Sequence, residues 1–510
     1  DEKKAKKSKT ATSEKDQKTA VKPIDIAFNQ IEDHTKRLTV NSSDLAGAQL
    51  TKEGTKLYYL SQFEKGYDLW VTDFKENETK ILMKLGAKHA YFVLDKEQKN
   101  AFVLADGKIK KIELESKKVT PVAFNAEMTI DANSERKYLF EHIWRQVLKK
   151  FYVADLHGVD WAFYKKEYAI KLNDINNNFD FAELTGEMLG ELNASHTGTR
   201  YRPHSTIHNS TASLGIFPDN HYSGTGIKIA EILPKSPLVK ANSKVEVGDV
   251  IEKIDGQEIS SKHNYYPLLT NKEGDRVLLS IYSPKTNKRW DQVIRPVSQG
   301  QMADLKYHRW VQGRKDLTEK LSHGRIGYVH VKGMNDESFR TVYSELLGKL
   351  VNKEAVIVDT RFNGGGWLHD DLATLLSGKR YMDFVPRGQK IGSEPLFKWY
   401  RPSIVVMGEG NYSDAHMFPY TYKALNIGPL VGMPVPGTGT AVWWEALHTG
   451  DLIFGIPQVG MIGLDAKYLE NHQLNPDYMI DNDPESVANG EDKQIEKSVQ
   501  VLLEKLDQNK

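Results

Sequence analysis

Apolar and polar residues alternate with a period of two through much of residues 50–104, and the alternating blocks repeat. "LTKEGTKLYYL" at 50–60 matches "LDKEQKNAFVL" at 94–104, and "TKRLT" at 35–39 matches "TKILM" at 79–83, each with a shift of 44 residues. Short β-type segments, "KLYYLSQ", "YDLWVTDF" and "KILMKL", lie between turns. Alternation of this kind predicts half-buried strands. A repeat of about 40–45 residues with several strands per unit predicts propeller blades. Residues 23–125 hold two such units, and a closed propeller needs at least about four. The expectation is therefore a partial β-propeller with further blades ahead of Asp1, the alternative being a small open β-sandwich.

From 126 to 212 the period lengthens to that of a helix. "SERKYLFEHIWRQVLKKFYV" spaces Leu139, Ile143, Trp144, Val147, Leu148 and Phe151 on one helical face. A second helix is predicted from about Asp180, breaking at "NASHTG", which holds Ser195 and His196. Residues 213–297 return to β-rich segments punctuated by Gly and Pro. From 298 to 510, strands such as "GRIGYVHVKG", "AVIVDTRFNGGG" and "SIVVMGEG" alternate with helices such as "DESFRTVYSELLGKL" and "EKSVQVLLEKL". That order predicts βαβ units, whose ligand sites lie beyond the carboxyl ends of the strands. "FNGGG" and "NYSDA" both sit at such ends.

Composition narrows the function classes. Formal charge nearly cancels at +1, with 69 basic and 68 acidic side chains, which argues against a nucleic-acid footprint. No apolar run approaches the roughly 18 residues that insertion across a bilayer needs. With no cysteine, disulfides, a thiol nucleophile and Cys-bound zinc are excluded. The 16 histidines are scattered and no "HExxH" occurs, so no metal is expected. "GTGIKI" lacks the third glycine and the βαβ setting of a dinucleotide site, so no cofactor is expected either. Residues 1–22, rich in Lys, Ser, Thr and Ala, read as a disordered linker. The absent cysteines and a first residue that is not Met suggest an exported, periplasm-like setting, with a cytoplasmic one as the alternative.

Ser413 stands where a buried strand, "PSIVVMGEG", turns into a helix, "MFPYTYKALNI". A serine there is either a helix cap or a nucleophile exposed on a sharp strand-to-helix turn. Three successive glycines after "DTRFN" are either a tight turn or a backbone that approaches a ligand closely.

The motifs taken together resemble one family. "SLGIF", "ILPKSPLVKA" and "VGDVIEKIDGQEI" resemble the loop and strands of a PDZ domain. A PDZ domain ahead of an α/β module with "D-x-R-x-N-G-G-G" resembles the S41 serine peptidases, and blades upstream with "SH" before the PDZ domain resemble their tricorn branch. The implied fold is multidomain α+β: partial β-propeller blades (23–125), a helical segment (126–212), a PDZ domain (213–297) and an α/β, crotonase-like catalytic domain (298–510). The resemblance implies Ser413 as nucleophile, His196 as its base, Ser195 as a bridging hydroxyl and Glu470 as the carboxylate that orients it. It implies an oxyanion hole from the backbone N–H groups of Gly365 and Asp414, with Gly364 as the alternative to Gly365. Asp383 would lie at the base of a pocket for a basic side chain, and Leu214, Gly215, Ile216 and Phe217 would form a carboxylate-binding loop. The substrate would be a peptide or an unfolded segment, and a homo-oligomer is an option. A second S41 branch uses a Ser–Lys dyad; in the equivalent turn, "PGTGT", Thr438 stands where that lysine would be. An inactive peptide-binding scaffold is the remaining alternative.

Overall fold

The computed structural model describes residues 26–39, 42–63, 65–203, 205, 209–240, 242–260 and 264–508. The segment 1–22 expected to be a linker lies outside them. The chain forms two compact units divided between Thr129 and Ile130.

In the first unit each repeat folds as a four-stranded antiparallel meander. The strands are Asp44–Leu50, Lys56–Gln62, Tyr67–Asp73 and Glu78–Ala87, then Ala90–Leu94, Asn100–Ala105, Lys108–Glu113 and Val119–Val122. Alternation explains the packing: Ala101 and Val103 are fully buried while Leu104 is 44% exposed. Leu60, Leu69, Phe92, Val103 and Ile112 share one core that draws on both sheets. The two meanders do not close into a ring or barrel.

The second unit opens with helix Ala132–Lys150, capped by the Asp131 carboxylate, which accepts from the N–H groups of Asn133 and Ser134. Helices Trp161–Lys171 and Asn178–Gly190 pack on it. Their core is completed from far along the chain, by Leu447, Leu452, Phe454 and Ile456. Residues Thr440–Ala446 and Leu452–Gly460 form a three-stranded antiparallel sheet with Gly198–Tyr201. The stretch 440–460, expected inside the α/β domain, thus belongs structurally to the helical segment. The PDZ-like region is a separate sheet, ordered Ile216–Pro218, Ile227–Ile232, Val250–Ile254, Val277–Ser283 and Lys288–Ile294, with Gln257–Glu258 at its side.

The catalytic-type domain is a five-stranded parallel sheet in the order Ile326–His330, Ala355–Asp359, Ser403–Met407, Leu430–Gly432 and Tyr478–Met479. The first four of these strands are near-continuously apolar and buried on both faces, as parallel strands require, while the short edge strand Tyr478–Met479 is exposed. Helices Asp336–Ser344, His369–Leu376 and Asp414–Ala424 cover one face, while Gln299–Leu321 and Lys493–Gln508 cover the other. Beneath the strand end at Asp359 runs a buried charge network. The Arg361 guanidinium donates to Asp359 Oδ2 (2.6 Å), to Asp492 Oδ2 (3.1 Å) and to Gln494 Oε1 (2.8 Å). Tyr328 donates to Asp359 at 2.8 Å, and Arg314 to Asp492 at 3.1 Å.

Removing one member of a buried ion network leaves its partners charged and unpaired. Arg361→Ala is expected to lower the unfolding free energy by about 3–5 kcal/mol in urea titrations. A loss below about 1 kcal/mol would show that water reaches Asp359 and Asp492, contrary to their burial at 0% and 1% exposure.

Candidate active site

Strand Ser403–Met407 is wholly buried and ends in a turn, 408–412, before helix Asp414–Ala424. Ser413 occupies the cap position of that helix but makes no capping hydrogen bond. Its φ of +57° and ψ of −124° are a strained conformation for serine. Neighbouring groups hold that conformation. The Ser413 N–H donates to Thr438 Oγ1 at 2.9 Å, and the Tyr412 N–H to the Asn363 carbonyl at 3.0 Å. Asn411 Nδ2 donates to Thr360 Oγ1 (2.9 Å) and to the Ala415 carbonyl (3.0 Å). That carbonyl would otherwise lack a helical partner, because Pro419, four residues on, has no N–H.

The triple-glycine loop lies directly against the serine. A Cβ on Gly365 would stand 2.6 Å from Ser413 Cβ and 2.7 Å from the Tyr412 carbonyl, so only glycine fits. The Gly365 N–H, however, donates to Asn363 Oδ1 at 2.9 Å. Gly364 and Gly366, not Gly365, line the cleft in front of Ser413. The Gly365 N–H is thus spent within the loop, whereas the Gly364 N–H has no acceptor among the described residues. The Asp414 carboxylate accepts from the N–H groups of Leu368 (2.5 Å) and His369 (3.0 Å) and from His369 Nδ1 (2.5 Å), while its main-chain N–H has no acceptor among the described residues. That last bond raises the His369 pKa.

Ser195 and His196 sit in the loop between helix Asn178–Gly190 and strand Gly198–Tyr201. Ser195 is fixed twice by Glu470: its N–H donates to Oε1 at 2.5 Å and its hydroxyl to Oε2 at 2.9 Å. Ser195 Oγ in turn lies 2.7 Å from His196 Nδ1. The His196 N–H donates to the Tyr412 hydroxyl at 2.7 Å, and the two rings lie 4.7 Å apart, so the loop is tied to the residue preceding Ser413. His196 and Ser413 both line a cleft of about 510 Å³, together with Thr440, Trp367 and Trp444. Neither Ser413 Oγ nor His196 Nε2 hydrogen-bonds another described residue, which leaves both atoms available to the cleft.

Residues 325–480 match the family model of peptidase family S41, residues 132–190 that of the tricorn protease C1 domain, and residues 228–299 that of the tricorn protease PDZ domain. Three regions of the chain thus match S41 peptidase and tricorn protease domain models. It is 24% identical over 464 residues to tricorn protease homolog 1 of Streptomyces coelicolor, a match covering 83% of this chain and 41% of that protein. It is 24% identical over 469 residues to the tricorn protease of Thermoplasma volcanium, covering 89% of this chain and 44% of the relative. The chain thus spans about two fifths of the length of these relatives. A crystal structure of the tricorn protease superimposes with a TM-score of 0.78 at 20% identity, covering 91% of this chain and 47% of the other, which establishes the shared fold.

Two further sets of residues are placed away from the cleft. Asp383 lies on the two-stranded sheet Met382–Phe384 with Gly392–Glu394, where it accepts from Ser393 (2.7 Å) and pairs with Lys390 (3.0 Å). It is not among the residues lining the cleft. Leu214 and Ile216 are buried in the PDZ-like core, while Phe217 packs with Leu233, Met302 and Leu305 of helix Gln299–Leu321. A Cβ on Gly215 would come within 2.6 Å of Ser236 Cβ and 3.3 Å of Leu305 Cδ1. The expected carboxylate loop is thus packed against its own chain. The sequence reading missed Thr440 and Tyr412, whose hydroxyls reach His196; the doubled threonine of "PGTGT" was the available signal for the first.

Burial lowers the His196 pKa from its ordinary 6.5 to about 4, and burial raises that of Glu470 against the bonds from Ser195 and Thr440. His196 is therefore neutral at pH 7, the state a general base needs. The unfolded chain protonates this group near 6.5, so the stability it contributes is present above that pH and is lost as pH falls toward 4. An NMR titration of His196 is expected to show its midpoint well below 6.5, near 4; a midpoint at 6.5 or above would contradict the burial of the ring.

Proposed function

We propose that this chain is a serine endopeptidase acting on peptides or unfolded segments. The observation that carries the reading is the continuous path from Glu470 through Ser195 to His196 Nδ1, ending in the cleft that Ser413 also lines. In the reaction, His196 Nε2 takes the Ser413 hydroxyl proton as Oγ attacks the peptide carbonyl carbon. The carbonyl oxygen becomes an oxyanion facing the N–H groups of Gly364 and Asp414, neither of which has a protein acceptor among the described residues. His196 then gives the proton to the leaving amine, which departs to leave an acyl-enzyme. Water, deprotonated by the same imidazole, attacks the ester and releases the acid. Asp414 opens its helix, so the helix dipole adds to the positive field there.

The Ser–Lys alternative is disfavoured by two observations. Thr438 directs its oxygen to the Ser413 N–H, and no lysine lines the cleft. The two meanders of the first unit are read as propeller blades, and the PDZ-like domain as a support for helix Gln299–Leu321. The Arg309 guanidinium on that helix grips Glu231 of the PDZ-like sheet through two hydrogen bonds, at 2.5 and 2.8 Å.

A serine-directed phosphonate is expected to modify the chain at Ser413 alone, and a peptide library read by mass spectrometry to reveal internal cleavage. Ser413→Ala and His196→Ala should each reduce kcat by about 10³- to 10⁶-fold. An unlabelled chain would favour the inactive scaffold, and full activity in His196→Ala would favour a lysine base.

A further inference from the structure

Thr440 has no part in the reaction as written, yet it is completely buried at the centre of the relay. It opens the strand Thr440–Ala446, so pairing with Gly460 fixes its backbone. Its Oγ1 lies 3.1 Å from His196 Nδ1 and 3.2 Å from Ser195 Oγ. The same hydroxyl acts on Glu470, lowering the pKa that burial raises. Thr440 and Ser195, 245 positions apart, therefore occupy equivalent places between one carboxylate and one ring nitrogen.

We infer that Thr440 is a positioning residue, a second bridging hydroxyl in parallel with Ser195, and that the pair fixes the His196 tautomer. The inference rests on the peptidase reading and deepens it. Each hydroxyl has one proton to give and lone pairs to receive, whereas an ionised carboxylate only accepts. Ser195 gives its proton to Glu470 Oε2. In the inferred arrangement Thr440 gives its own to the same carboxylate, whose pKa it lowers. Both oxygens then present only lone pairs to Nδ1, so Nδ1 must carry the imidazole proton and Nε2 must be the acceptor that faces the cleft. When Nε2 takes the Ser413 proton, the Nδ1–H stays where it was, shared between two oxygens, and Glu470 balances the new charge from behind them. The Tyr412 hydroxyl, the other polar group beside the ring, bonds the His196 main chain and leaves the ring nitrogens to this pair.

One hydroxyl can therefore cover for the other, which a single bridge would not allow. Ser195→Ala, Thr440→Val and the double variant are to be compared with the parent chain by ¹⁵N NMR of histidine-labelled protein, with His196→Gln identifying the resonance. The same proteins are to be assayed with a peptide that the parent cleaves. Each single variant is expected to keep the Nδ1–H form and to lose about tenfold in kcat, the scale of one hydrogen bond to a charged group. The double variant is expected to lose the Nδ1–H form and about 10³- to 10⁴-fold in kcat, the scale of a wrong tautomer, with KM within about twofold. Thr440→Ser placed in the Ser195→Ala background should restore the Ser195→Ala level, which separates loss of the hydroxyl from damage to packing. A double variant that keeps the Nδ1–H form, or loses no more than the product of the single effects, would overturn the inference. The NMR signal is read whether or not peptide is cleaved: an inactive parent whose tautomer depends on both hydroxyls would overturn the peptidase reading alone. An active parent with an unresponsive tautomer would overturn the inference alone.

Discussion

The Glu470 carboxylate is 2% exposed, and everything around the candidate site depends on how its charge is satisfied. A carboxylate taken out of water is costly unless hydrogen bonds replace its hydration. Here the replacement comes from a loop 275 residues earlier, through the N–H and hydroxyl of Ser195. Folding must bring 195 and 470 together for Glu470 to stay charged. The sheet of Gly198–Tyr201 with Leu452–Gly460 supplies the means, because its ladder begins two residues after His196 and ends ten before Glu470. Apolar burial of Phe454 and Ile456 in the helical core anchors that ladder.

The strain at Ser413 is distributed in a similar way. The left-handed turn is held on one side by Thr438, on another by the Asn363 carbonyl, and from below by Asn411. Asn411 also receives the Gly408 N–H, so one side chain ties the strand end, the glycine loop and the helix start together. Close contact between Gly365 and Ser413 leaves no room for a larger residue. The Arg361 network then pins the glycine loop from beneath, through Asp359 at the end of one strand and Asp492 just before the last helix. Ser413 and the glycine loop are thus preorganised by bonds that do not involve substrate.

Much of this was legible in the sequence because the chemistry forces rare residue patterns. Alternation with a 44-residue shift gave two four-stranded meanders, and apolar strands alternating with helices gave the parallel sheet. Ser413, His196, Ser195 and Glu470 were named from motif and order, and three of them are joined by hydrogen bonds. Other placements depend on local contacts that no motif shows. Asp383 looked like a pocket base, but its charge is answered by Lys390 on the same hairpin. Gly365 looked like an oxyanion donor, but the Asn363 side chain folds back onto its N–H. Thr440 shares the doubled threonine of "PGTGT", but a buried threonine in a strand is ordinary until its neighbours in space are known. The crossing of 440–460 into the helical core was invisible for the same reason: long-range pairing leaves no periodic mark.

The claim at the centre of this account is spatial: one loop delivers an imidazole to a hydroxyl held on another. A crystal structure of the chain with a phosphonate bound to Ser413 measures it directly. The account requires His196 Nε2 within about 3.2 Å of Ser413 Oγ, as proton transfer demands, and a phosphoryl oxygen within about 3.1 Å of the Gly364 and Asp414 nitrogens. An adduct whose oxygen points away from both nitrogens, or whose imidazole stands beyond hydrogen-bond reach, would contradict it.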